Sequence, residues 1–335
     1  MVSNMKKLSI ILVFLLSISN IANSQTMTEK EMNNMKRVIF PNRSITLAGN
    51  LYFPEHFDDG QKYPAIICVH PAGGTKEQTA GLYAGKLAAS GFITLAFDAS
   101  YNGESGGEPR LLEDPFVRCE DIRCAVDYLT TLPFVDETKI GALGICIGGG
   151  YVMGVAPTER RIKAAASISA TDAGAVNREG WTRGNSIETQ IKELENIAAQ
   201  RTKEARGGEA RLIPIAPIEV TENTAPTMKE GYEYYRTSRG HHPRAVGYSL
   251  YTSKDKKMAF SAIAQANLFT QPALLIVGSK AESAWSSQMI YDAIVSTDKE
   301  LYVVDGASHI DLYDKPEYVN PIVRKLNDFY RKSFK

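Results

Sequence analysis

A strand that runs into a helix through Gly144-Ile145-Cys146-Ile147-Gly148 leaves this chain few folds to choose from. The apolar run Ile140 to Leu143 leads in and Gly149-Gly150 follow, so the pattern is strand, very sharp turn, helix. At so tight a reversal the backbone passes close to its neighbours, and the two flanking positions have no room for side chains. The central residue is held in a strained conformation that lifts its side chain above the sheet, and here that side chain is a thiol. The first N–H groups of the helix carry its positive dipole end, which favours a thiolate and any oxyanion formed beside it. Taken alone, the pattern also suits a small buried cysteine in a glycine-rich turn. A dinucleotide-binding loop is disfavoured, because G-x-G-x-x-G is not matched and the turn follows a mid-chain strand.

Strands and helices alternate around this turn. Lys36 to Phe53 reads as two strands joined at Asn42-Arg43-Ser44, and Pro64 to Val69 is an unbroken apolar strand of the kind found in parallel sheets covered on both faces. Thr75-Lys76-Glu77-Gln78 is a capping box opening a helix with Leu82, Leu87 and Ala88, and Phe92 to Phe97 is the next strand. Asp114-Pro115 is a cap with proline at the first helical position, leading a helix with Ile122, Ala125, Val126 and Leu129 on one face. Lys139 to Leu143 feeds the sharp turn, and Ile162 to Ile168 is another strand. The alternation predicts a mostly parallel α/β sheet with right-handed crossovers.

From about 173 to 266 the alternation fails. Asn185 to Arg206 reads as an amphipathic helix with an Asn185/Glu188 capping box, followed by an irregular stretch holding Tyr232, Tyr234, Tyr235, Arg236, His241 and His242. Strand Ala273 to Val277, helix Ser283 to Ile294, strand Leu301 to Val304 and a last helix Pro316 to Phe334 then restore the pattern. The interruption is expected to be an insertion in one domain spanning 25–335, placed to act as a lid or a dimerisation arm.

The first residues resemble a secretory leader, with Lys6-Lys7, the apolar run Leu8 to Ile18 and small residues at Ala22 and Ser24. Cleavage near Ser24 would release an exported, periplasmic or secreted protein. The run is short of the roughly 20 residues of a membrane span. The 38 basic and 38 acidic residues balance, and loss of the leader's two lysines leaves a net charge of about −2, which excludes a strongly basic nucleic-acid or membrane binder. Cys68, Cys119, Cys124 and Cys146 are the four cysteines, and Cys146 is expected to be free. No cofactor is called for, and no ligand set of metal-binding spacing stands out.

A nucleophilic thiol needs a base, and of the five histidines His309 is the one that follows the last strand and precedes the last helix, at the edge on which the turn opens. His70 shapes the first loop. His-Pro-Ala-Gly-Gly at 70–74, Asp98 to Arg110, the turn 144–148 and Ser308-His309-Ile310-Asp311-Leu312-Tyr313-Asp314 together resemble an α/β-hydrolase of the dienelactone-hydrolase-like branch with a cysteine nucleophile. The resemblance implies a chain order of nucleophile, acid, histidine. The usual acid position after strand 273–277 falls on Ala281 here, so Asp172 is the preferred candidate and Glu282 the alternative. The oxyanion hole is expected at the N–H groups of Ile147 and Ala72. Tyr235 and Arg236 are candidate substrate contacts.

These residues suit a hydrolase of small carboxylic esters or lactones acting through a thioester acyl-enzyme. A thiolate attacks readily but also leaves readily, so substrates with good leaving groups are favoured over peptides. A non-catalytic binding module on the same fold, and an acyltransferase with the same residues, are the other expectations.

Overall fold

The protein is described as a computed structural model over residues 34–335. The leader expected at 1–24 lies outside the described residues. Strands β1 (Met35–Asn42) and β2 (Ile45–Tyr52) form an antiparallel pair in register from Met35 opposite Tyr52 to Asn42 opposite Ile45. Arg43 takes the positive φ of their turn, 52°. Beyond them come β3 (Tyr63–Val69), β4 (Ile93–Phe97), β5 (Val135–Ile145), β6 (Ile162–Ile168), β9 (Ala273–Gly278) and β10 (Lys299–Val304). The eight strands lie in the order β1-β2-β4-β3-β5-β6-β9-β10, antiparallel as far as β4 and parallel from there on.

Every residue of β4 and β9 is buried, which explains their unbroken apolar sequences: helices cover both faces of the sheet. Each such Leu, Ile, Val or Phe contributes roughly 1.5–3 kcal/mol relative to exposure. The crossovers are α1 (Thr79–Ala89), α2 (Pro115–Thr130), α3 (Ile147–Val155) and, after the insertion, α8 (Ala284–Ala293). Asp114 caps α2 as expected, accepting from Phe116 N at 3.0 Å and Val117 N at 3.4 Å. The box ahead of α1 forms only in part. Gln78 Oε1 accepts from Thr75 N at 3.0 Å, but the turn is not yet helical and α1 begins after Gln78.

Between β6 and β9 the chain leaves the sheet for α4 (Ala173–Glu179), α5 (Ile187–Ala205), a ribbon of β7 (Leu212–Pro214) and β8 (Tyr248–Leu250), α6 (Pro226–Arg236) and α7 (Ser253–Ala259). The cap of α5 is Ser186, accepting from Thr189 N at 3.2 Å, one residue later than the sequence suggested. The chain then returns to the sheet, crosses the single turn α9 (Asp311–Asp314) and ends in α10 (Pro316–Ser333). Tyr330 of α10 donates to the Ala142 carbonyl of β5 at 2.8 Å. A side chain at Gly141 would sit 2.7 Å from the Tyr330 ring and 3.0 Å from that of Phe334, so glycine there lets the last helix lie against the central strand. Among the described residues no helix is long and apolar enough to cross a membrane.

Candidate active site

Cys146 joins β5 to α3 with φ 55° and ψ −123°, a conformation that residues with a Cβ rarely adopt. Its backbone is held on both sides: Cys146 N donates to Ile168 O at 2.9 Å, and Cys146 O accepts from Gly149 N at 2.9 Å and Thr171 N at 3.0 Å. The flanking glycines are required by contact with backbone. A Cβ at Gly144 would lie 2.2 Å from the Gly148 carbonyl oxygen, and one at Gly148 would lie 2.6 Å from that of His70. The strain therefore persists because the packing around the turn over-determines it. The sulfur is almost fully buried, and its polar neighbours are the Ile147 N–H, the Tyr313 hydroxyl and Thr171 Oγ1, the last at 3.9 Å. Burial pushes the thiol above its usual range, and these three contacts pull it partly back.

His309 is brought to the same edge by the loop after β10. That loop packs against the end of β9 so closely that a Cβ at Gly278 would meet the Ala307 carbonyl at 2.2 Å. His309 Nδ1 lies 2.5 Å from Ser283 Oγ and Nε2 lies 3.1 Å from the Tyr313 hydroxyl. Among the described residues neither nitrogen meets a carboxylate. Asp172 instead caps α4, with Oδ1 accepting from Ala175 N at 2.8 Å and Oδ2 from Ala262 N at 2.7 Å. Glu282 accepts from Thr227 N at 3.2 Å, and Asp311 turns back to Ser308 N at 3.1 Å and Lys315. The carboxylate expected beside the histidine is thus replaced by Ser283, because both candidates are committed to backbone N–H groups of the insertion. Burial alone lowers the His309 pKa to about 4.

This depression has a consequence for stability. The folded imidazole takes up a proton near pH 4 and the unfolded one near 6.5, so the contribution is complete above pH 6.5 and is lost as the pH falls towards 4. The loss amounts to roughly 3 kcal/mol. Urea midpoints measured between pH 7 and pH 4 will fall along this interval, and His309→Gln will flatten that part of the slope.

The first loop completes the geometry. His70 is locked, with Nδ1 donating to Pro71 O at 2.6 Å and Nε2 accepting from Ala99 N at 3.1 Å, so it shapes the loop. No acceptor takes the Ala72 N–H among the described residues. The far end of the loop is fastened by Lys76, whose buried Nζ reaches Asp98 Oδ2 at 2.7 Å, Glu104 Oε2 at 2.6 Å and Glu77 Oε1 at 2.9 Å. Asp98 also accepts from Lys76 N at 2.8 Å and Glu104 N at 2.9 Å, which ties the first loop to the loop after β4.

The profile of the Dienelactone hydrolase family matches residues 48–199. The uncharacterized protein YcjY of Escherichia coli K12 is 42% identical over 306 residues, covering 90% of this chain and 99% of that one. The chain belongs to the dienelactone hydrolase family. The crystal structure of the hypothetical protein PA2218 from Pseudomonas aeruginosa superposes with a TM-score of 0.84 at 34% identity, covering 92% of this chain and 99% of that one. The thiohydrolase aneE of Aspergillus aculeatus is 28% identical over 171 residues, about half of each chain. A hydrolase-type function follows for this α/β-hydrolase.

In this dienelactone hydrolase family member the walls of the site come from the insertion. Trp181 stands edge-on to His309, ring centroids 5.4 Å apart. Ile215 lies over the first loop, where a Cβ at Gly73 would fall 2.0 Å from its Cδ1. Tyr235 is buried, and the Tyr313 hydroxyl is among its polar neighbours. Its neighbour Arg236 turns the other way, donating to Ala216 O at 3.2 Å and Gly247 O at 3.0 Å and covering the Tyr248 ring, so it braces the insertion. All four cysteines are free, and among the described residues no three metal-ligating side chains converge. Ser283 and Tyr313 carry no signal in the sequence that marks them as neighbours of His309. Tyr313 sits four residues after His309, but the helical turn that carries it begins only at Asp311 and is four residues long, so no periodic signal links the two.

Proposed function

We propose that the protein hydrolyses small activated acyl compounds, carboxylic esters, lactones or thioesters, through an acyl-enzyme on Cys146. His309 is the base and Ser283 its positioning partner. The observation that supports this most directly is the strained backbone at Cys146, which presents a buried thiol to the Ile147 N–H in a site shared with His309. A thiol merely filling the core would need no such conformation. The thiolate attacks the acyl carbonyl, the Ile147 and Ala72 N–H groups hold the resulting oxyanion, and the leaving group departs with the proton. Water activated at His309 then cleaves the thioester. Because burial holds the thiol protonated at rest, attack is coupled to proton removal, which suits acyl groups with good leaving groups. The thiohydrolase name of one relative fits this class.

The test is intact-mass spectrometry of the purified protein mixed with a panel of lactones, aryl esters and thioesters. An adduct of acyl mass that maps to Cys146 and decays at the rate of turnover is the expected result. Undiminished turnover after alkylation of Cys146 would remove the reading. The same spectrum tests export, which we also propose: protein recovered from a bacterial host's envelope should begin at residue 25, and a retained Met1 would refute it.

A further inference from the structure

We infer that Tyr313 is a catalytic residue whose phenol hydroxyl carries the Cys146 proton to His309, joining two side chains that meet through it. The inference rests on the reading of Cys146 as the nucleophile. Tyr313 Oη lies 3.1 Å from His309 Nε2, and the hydroxyl is also a polar neighbour of the Cys146 thiol, each group shifting the other's pKa. Tyr313 thus neighbours both the thiol and the imidazole, and Ser283 Oγ lies 2.5 Å from Nδ1 on the ring's other side. With Nδ1–H donating to Ser283, Nε2 is left as the acceptor, which is the tautomer a base needs.

The hydroxyl is held in place from several sides. Tyr313 is 1% exposed, and its ring packs edge-on to Tyr234 with centroids 5.2 Å apart. Its neighbour Asp314 is clasped by Arg239 through two hydrogen bonds of 3.0 and 2.7 Å. Ser308, just before His309, donates to Glu230 at 2.6 Å, so α6 and the segment after it grip both ends of the His309–Tyr313 stretch. Tyr235 supplies a further polar contact to the phenol. A phenol whose only task was packing would not need three polar neighbours in the one region where the chemistry is expected.

The step balances. As the thiol proton passes to the Tyr313 oxygen, the phenol's own proton passes to Nε2, leaving thiolate, neutral phenol and imidazolium. Burial and the neighbouring Cys146 keep the Tyr313 pKa well above its usual value, so the phenol passes a proton on without resting as an anion. The thiolate forms the C–S bond while the carbonyl π pair moves to oxygen. When the tetrahedral species collapses, the bond to the leaving group breaks, and the proton returns from Nε2 through the phenol to that group. Deacylation runs the same route with water.

The experiment is single-turnover acylation by an activated aryl ester, followed by intact mass in mixtures of H2O and D2O, for wild type and Tyr313→Phe. Wild type should give a curved proton inventory, with two protons in flight. Tyr313→Phe should keep its fold by circular dichroism, acylate about 100- to 10,000-fold more slowly with little change in KM, and give a linear inventory. Wild-type rate and inventory in Tyr313→Phe would overturn the relay, and so would a linear inventory in the wild type, whatever the variant does. Absence of any acyl adduct on wild-type Cys146 would instead strike at the nucleophile itself, which separates the two failures.

Discussion

Cys146→Ala should lower turnover of an activated aryl ester by about 10⁴- to 10⁶-fold while leaving the fold intact. The methyl side chain fits wherever the thiol does, and the backbone contacts that hold the turn involve the Cys146 N–H and carbonyl. Residual activity would come from the oxyanion donors and binding alone. Cys146→Ser is expected to fall well short of the wild type although it restores a nucleophile of the right shape. The His309 pKa is driven down to about 4, and a base that weak has little power to deprotonate an alcohol. The ranking wild type, serine, alanine, read from burst and steady-state kinetics with one ester, checks both points. An alanine variant with undiminished turnover would place the chemistry elsewhere.

Lys76→Met is the substitution expected to cost most in stability. Lys76 is fully buried, and its ammonium is the shared counter-charge of Asp98, Glu104 and Glu77. Removing it leaves the Asp98 carboxylate, itself fully buried, with backbone donors but no cation at hand. Breaking a buried pair on one side typically costs about 3–5 kcal/mol. That should lower the melting temperature by on the order of 10 °C. The double variant Lys76→Met with Asp98→Asn should recover part of the loss, since no buried charge is then stranded. Calorimetry of the three proteins decides this; a single variant as stable as the wild type would show that the cluster contributes nothing. The same substitution should slow catalysis, because Lys76 anchors the loop that carries the Ala72 N–H.

The sheet was legible because its strands are uninterrupted apolar runs separated by recognisable caps: Ile162 to Ile168 and the start of α2 at Asp114-Pro115 fall where the sequence puts them. The sharp turn was legible because Gly144 and Gly148 are demanded by backbone contacts. His309 could be placed on the right edge because it follows a strand in a parallel sheet. What surrounds the imidazole could not be read. A serine in a polar loop, such as Ser283, carries no pattern, and whether Asp172 faces a histidine or a backbone N–H depends on where residue 262 returns after the excursion from the sheet. Tyr235 and Arg236 are adjacent and equally suited to a ligand in the sequence, yet a helix sends neighbouring side chains about 100° apart, so one faces the thiol and the other its own scaffold.

The bond from Tyr330 to Ala142 bears on how the molecule is made. It joins residues 188 positions apart, so the strand that delivers the nucleophile is synthesised long before the helix that covers its face. Contacts of such separation close late and slow folding. Until α10 arrives, the bare surface at Gly141 and its neighbours is open to association with other nascent chains. A fusion partner at the carboxyl end would burden the helix that covers this face of the central strand.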